Sequence, residues 1–147
     1  MPEFRRTGGV RLTGVMTVEI SDHFARILSS PVFAHLGTVR PNGEVQVNPM
    51  WFEFDAETQT IRFTHTTKRA KFRNLQHHPG MTLEALDPEN PHRYVEVRGS
   101  LAEVVPDPEG AFYVHLAKRY GETDPEPPAD KADRVVLVMR IEKVNGR

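Results

Sequence analysis

The chain has 147 residues, 38% of them hydrophobic and 27% charged, which is one ordinary globular domain able to bury a core without a disulfide or structural metal. A net charge of −1 and the absence of cysteine exclude a thiolate metal site, a cysteine nucleophile and a global field drawing the protein to nucleic acid or membrane. The longest apolar runs, such as Val135–Met139, fall far short of the ~20 residues that span a bilayer, so a soluble protein is expected, and the lack of cysteine fits a cytoplasmic one.

Met1–Val15 carries three glycines among basic residues, has no apolar periodicity and lacks the apolar run of a signal peptide. It reads as a flexible N-terminal extension (residues 1–15) ahead of a single domain (residues 16–147). Ser21-Asp22 is a helix N-cap signal followed by Phe24, Ile27 and Leu28 on one face, and Pro31 ends that helix. Val32–Val39 and Glu44–Phe54 read as strands joined by the turn Pro41-Asn42-Gly43. Pro49 inside the second removes a backbone donor and marks an edge, a bulge or a ligand-facing gap. Thr60–His65 is a third strand, Arg69–Gln76 a short helix, Met81–Leu86 a fourth strand and Arg93–Val104 a long fifth, with a bulge or corner at Gly99. Asp107 is expected to cap a second good helix with Pro108 at its first position, Phe112, Leu116 and Tyr120 on one face and Gly121 as its C-cap. An acidic, proline-rich loop, Glu122–Asp133, leads to the last strand, Arg134–Val144. About six strands joined mostly by short turns, with two or three short helices, predict a mainly β (α+β) fold: a closed or partly closed antiparallel barrel.

The densest basic cluster, Lys68-Arg69-Ala70-Lys71-Phe72-Arg73, follows Thr64, Thr66 and Thr67 where a strand gives way to a helix. A helix N-terminus presents unpaired N–H groups and partial positive charge, so this arrangement suits a phosphate, with Arg69 and Lys71 adding charge-assisted bonds. A solvated charged helix explains the bare pattern equally well. In Val45–Trp51, Gln46 and Asn48 share one strand face and could lie along a planar ring; an ordinary half-buried strand fits the same pattern. The single tryptophan, Trp51, reads as a core or subunit contact. The seven histidines show no metal-site spacing, and neither a nucleophile elbow, a glycine-rich phosphate loop nor a basic–aromatic nucleic-acid pattern is present.

Taken in order, Phe33–Gly43, Gln46–Phe52, Thr66–Leu75, His78-Pro79 and Asp87–Gly99 resemble the pyridoxamine 5'-phosphate oxidase-like split β-barrel superfamily, and within it the branch of oxidoreductases dependent on the deazaflavin coenzyme F-420. The resemblance spans about residues 20–145. It implies an FMN-binding split-barrel type of fold and a homodimer with cofactor sites at the subunit interface. It implies hydride transfer between F-420 and a small unsaturated acceptor. Carried over by position, Arg69 and Lys71 would hold the cofactor phosphate and Thr64, Thr66 and Lys68 would add polar contacts. Gln46, Val47, Asn48, Pro49 and Met50 would lie beside the ring system, and Tyr94 would reach the partner's cofactor. Catalytic side chains are not implied. FMN-binding oxidases of the superfamily carry an arginine and a lysine on the second strand where this chain has Gln46, Asn48 and Pro49, which favours F-420. The alternatives are an FMN oxidase or reductase, a non-catalytic F-420 carrier, and a haem-binding relative using His35, His65 or His92.

Overall fold

The computed structural model describes residues 17–147, so the expectation for Met1–Val15 lies outside the described residues. Helix α1 (Asp22–Ser29) starts where Ser21 Oγ accepts the Phe24 N–H, buries Ile27 and Leu28, and stops at an extended Ser30 ahead of Pro31. Strands β1 (Ala34–Val39) and β2 (Val45–Met50) form a hairpin in register from Ala34↔Met50 to Val39↔Val45. Gly43 supplies the positive φ of 94° at its turn, and Asn42 Oδ1 accepts the Glu44 N–H. After β3 (Glu53–Asp55) and β4 (Thr60–Thr66) come α2 (Ala70–His77), β5 (Gly80–Asp87), β6 (Asn90–Pro106), α3 (Ala111–Arg119), a short 3-10 turn at Lys131–Asp133 and β7 (Arg134–Gly146).

Among the described residues all pairings are antiparallel and run β2-β1-β5-β6-β7-β4-β3, a sheet of seven strands. The two edge strands are consecutive in the chain, with only Trp51 and Phe52 between them. The sheet is therefore rolled so that its ends meet: a split β-barrel. Phe52, Ile61, Phe63, Leu83, Val97, Leu137 and Met139 fill its interior. The long strands bend where the β6–β7 register shifts between Arg98 and Gly99, the bulge expected at Gly99. A Cβ there would overlap the Arg140 carbonyl oxygen, so only glycine lets the strands approach this closely.

Two boundaries differ from expectation. The strand read as Glu44–Phe54 is two strands, because the Phe52 backbone is taken by other partners. Its N–H donates to Tyr120 Oη at 3.0 Å and its carbonyl accepts from Arg119 Nε at 3.1 Å, so neither is free for a ladder. The helix expected from Pro108 begins at Ala111, since Gly110 as N-cap adopts a left-handed φ of 69° that resets the chain. Asp107 still serves that end, its two carboxylate oxygens accepting the N–H groups of Ala111 and Phe112 at 3.0 Å each.

Candidate functional site

The cleft lies in the seam of the barrel. Strand β3 pairs only with Thr60–Arg62, leaving the Phe63–Thr66 end of β4 without a ladder partner on that side. There β2 and the start of α2 face each other across a cleft of about 500 Å³. It is lined by Gln46, Asn48, Pro49 and Met50 of β2, Thr64 and His65 of β4, Arg69–Lys71 at the head of α2, and Arg134 at the head of β7. Pro49 needs no ladder partner because β2 is an edge strand.

Lys71 organises this wall. It is only 4% exposed, and its Nζ donates to Asn48 Oδ1 at 2.8 Å. The same oxygen accepts from Gln46 Nε2 at 3.1 Å, and Gln46 Oε1 accepts from Asn74 Nδ2 at 2.8 Å. Asn74 Nδ2 also donates to Thr38 Oγ1 at 3.1 Å. A chain of neutral amides and a hydroxyl thus holds a buried lysine in place, and among the described residues no carboxylate lines the cleft. Burial first, and the Arg69 charge second, pull Lys71 below its ordinary value. Helix α2 has no side-chain cap and no acidic residue in its first turn, which leaves the partial positive charge of that end available to an anion. Arg134 is braced from outside: Nε donates to Asp130 Oδ1 at 3.0 Å, and its guanidinium lies 5.1 Å from the Tyr113 ring centroid.

Seven of the expected residues, Gln46, Asn48, Pro49, Met50, Thr64, Arg69 and Lys71, line this one cleft. Val47 does not: strand alternation turns it to the opposite face, where it is 57% exposed. Thr66 is buried and its Oγ1 accepts the Lys68 N–H at 3.3 Å, so it shapes the turn into α2 rather than lining the cleft, and Lys68 does not line it either. Tyr94 sits on β6 opposite Leu86, 38% exposed, and is not part of the wall. Trp51 stacks on Tyr120, centroids 5.2 Å apart and planes within 14°. His35 is exposed and paired with Glu84 at 3.1 Å, and His92 is exposed. Among the described residues, no helix is long and apolar enough to cross a membrane.

Two lining groups were not legible as phosphate-site residues, His65 and Arg134. The pairing Thr66↔Arg134 and His65↔Val135 brings β7 beside the end of β4, a proximity that local sequence does not carry. Residues 20–147 match the family model described as pyridoxamine 5'-phosphate oxidase. The chain belongs to the pyridoxamine 5'-phosphate oxidase family. Among solved structures of this split-barrel type, one named F420 Reductase is 48% identical, with a TM-score of 0.81, covering 86% of this chain and 98% of its own. More distant likenesses concern the fold alone. A conserved hypothetical protein from Mycobacterium tuberculosis is 23% identical (TM-score 0.69, covering 87% of this chain and 84% of its own). General Stress Protein 26 from Bacillus anthracis is 15% identical (TM-score 0.63, covering 84% and 89%). Among curated proteins, no sequence matches this member of the pyridoxamine 5'-phosphate oxidase family.

Proposed function

We propose that this protein is an oxidoreductase that holds coenzyme F-420 in the seam cleft, phosphate end at the head of α2, and works on a small unsaturated organic acceptor. The observation that carries the reading is the buried Lys71, grouped with Arg69 and Arg134 in a cleft that no carboxylate of the described residues lines, at a helix end without a side-chain cap. A cationic site so built lacks only an anion. The residues present therefore fit a phosphate-bearing cofactor, and the 48% identity to a protein named F420 Reductase favours the deazaflavin over FMN. The absence of arginine and lysine from β2 points the same way.

When bound, the cofactor supplies two-electron hydride chemistry, so no side-chain nucleophile is required of the chain. Arg69, Lys71 and Arg134 bind the phosphate, and Thr64 adds a hydroxyl. Lys68 and Thr66 act through the shape of the turn. Gln46, Asn48, Pro49 and Met50 offer the ring system amide groups and an apolar surface, with Gln46 and Asn48 fixed by their bonds to Asn74 and Lys71. A homodimer that shares the cleft across its interface, with Tyr94 supplied by the partner subunit, belongs to the same reading.

Parallel fluorescence titrations with F-420 and FMN test it. Micromolar or tighter binding of F-420, with FMN much weaker, is the expected result. Preference for FMN moves the protein to the flavin oxidases, and binding of neither refutes the cofactor assignment. Binding without oxidation of reduced F-420 by any enone, quinone or nitro acceptor makes it a carrier.

A further inference from the structure

His65 has no role in the fold as described. It lies on β4, is 5% exposed and lines the cleft. Its Nε2 is the one buried side-chain nitrogen or oxygen among the described residues that lacks a hydrogen-bond partner. Ile61 and Phe63, four and two residues earlier on the same strand face, are fully buried in the core. An apolar side chain at position 65 would continue that face without stranding a polar atom, so histidine here costs folding free energy that leucine would not.

Its surroundings define what it can do. Lys71 and Arg69 of α2 and Arg134 of β7 face it. Burial, and then these three charges in that order, bring its pKa to about 4. The ring is therefore neutral at neutral pH and carries one N–H and one lone pair. It adds direction to a site whose charge is already provided by three cations.

We propose that His65 is a ligand-contacting residue whose Nε2 hydrogen-bonds the phosphate-class anion held by Arg69, Lys71 and Arg134. The inference rests on the anion-site reading of the cleft given above. With the ring turned to present Nε2 to the cleft, an anion there satisfies the orphaned nitrogen and compensates the neighbouring charges of Arg69 and Lys71. The neutral ring tautomer with hydrogen on Nε2 serves as donor, so recognition at this point depends on where the anion's oxygen lies and not on added charge.

The test titrates the wild type, His65→Leu, His65→Gln and Lys71→Met with F-420, FMN and inorganic phosphate, alongside thermal melting and nitrogen NMR of the labelled imidazoles. His65→Leu is expected to weaken the preferred ligand by about ten- to a hundred-fold, the range of one hydrogen bond to a charged group, while melting a few degrees higher. His65→Gln, whose amide restores a donor, recovers most of the affinity, and the wild-type His65 Nε2 resonance shifts on saturation. Unchanged affinity in His65→Leu, with Lys71→Met still weakened, overturns the role of His65 and leaves the anion site standing. Unchanged affinity in both variants overturns the site reading and this inference with it. A His65→Leu protein that loses both stability and affinity, with neither recovered by glutamine, makes the residue structural and also overturns the inference.

Discussion

Replacing Lys71 by methionine separates a binding lysine from a structural one, because the two roles move stability and affinity differently. Lys71 is 4% exposed, and among the described residues its ammonium has one neutral acceptor, Asn48 Oδ1 at 2.8 Å, and meets no carboxylate in the cleft. Methionine keeps the length and apolar stem and removes a desolvated charge. Asn48 Oδ1 is not orphaned, since Gln46 Nε2 still donates to it at 3.1 Å. Stability should therefore hold or rise by up to ~1 kcal/mol, as it does when an unpaired buried charge is taken away. Affinity should move the other way. Unit charges 4 Å apart interact by about 4 kcal/mol at an effective dielectric of 20, but Arg69 and Arg134 remain, so the loss should be nearer the ~1.5–3 kcal/mol of one charge-assisted bond. That is roughly ten- to 150-fold in Kd. The assays are urea denaturation and F-420 fluorescence titration on the same preparations. The wild type adds a pH signature. Its folded Lys71 sits below the unfolded value of 10.5, so the unfolded chain holds the proton more tightly. The charge penalty is full below the folded value and fades as pH rises towards 10.5, narrowing the stability gap to the methionine variant. Lower stability with unchanged affinity in Lys71→Met would refute the reasoning.

The remaining predictions concern the scaffold of the cleft. Lowering pH from 6.5 to about 4 should cost the wild type up to ~3 kcal/mol through His65, because the folded ring stays neutral while the unfolded one takes up a proton; denaturation midpoints of His65→Leu across this window should lack that slope. Asn74→Ala removes the donor to Thr38 Oγ1 and Gln46 Oε1 from a site 2% exposed, so it should cost ~1–3 kcal/mol in urea denaturation and weaken F-420 binding by freeing Gln46. Asn48→Asp puts a carboxylate at the Lys71 Nζ contact; calorimetry with inorganic phosphate should show affinity about tenfold or more lower, since the ammonium is then neutralised from within. Gly99→Ala should cost more than ~2 kcal/mol or abolish soluble expression, because its methyl group would overlap the Arg140 carbonyl across β6–β7.

What could be read from the chain alone was local. The Pro41-Asn42-Gly43 turn, the Ser21 cap and the bulge at Gly99 are each decided by a few adjacent residues, and each stands where the pattern puts it. The basic run at Lys68–Arg73 is likewise a local signal, and α2 begins within it. Apart from the start of α3, which the left-handed Gly110 resets locally, the misread features depend on partners far away in sequence. The strand breaks at Trp51-Phe52 because Arg119 and Tyr120, 67 and 68 residues later, take the Phe52 carbonyl and N–H. Arg134 is a loop-end arginine in sequence, and becomes part of the cleft only because β7 pairs with β4. His65 shares a strand face with the core residues Ile61 and Phe63, and its unpaired nitrogen is visible only once the packing around it is known. Val47 shows the converse. The chain marks its neighbours Gln46 and Asn48 as sharing a face, and the same alternation necessarily sends Val47 to the other one.

The break between β2 and β3 also accounts for the position of the site. A barrel closed by a continuous ladder along β4 would bury the end of that strand under backbone and leave no opening beside α2. Here β3 covers only Thr60–Arg62, and side chains have to close the rest of the seam. The side chains that do so, Thr38, Asn74, Gln46 and Asn48, satisfy one another and one ammonium without contributing any negative charge. Apolar residues could have closed the seam at lower cost, and a carboxylate could have neutralised Lys71. A neutral polar wall behind Arg69 and Lys71 does neither, and leaves their compensating charge to be brought by a ligand, while Arg134 beside them is already paired with Asp130.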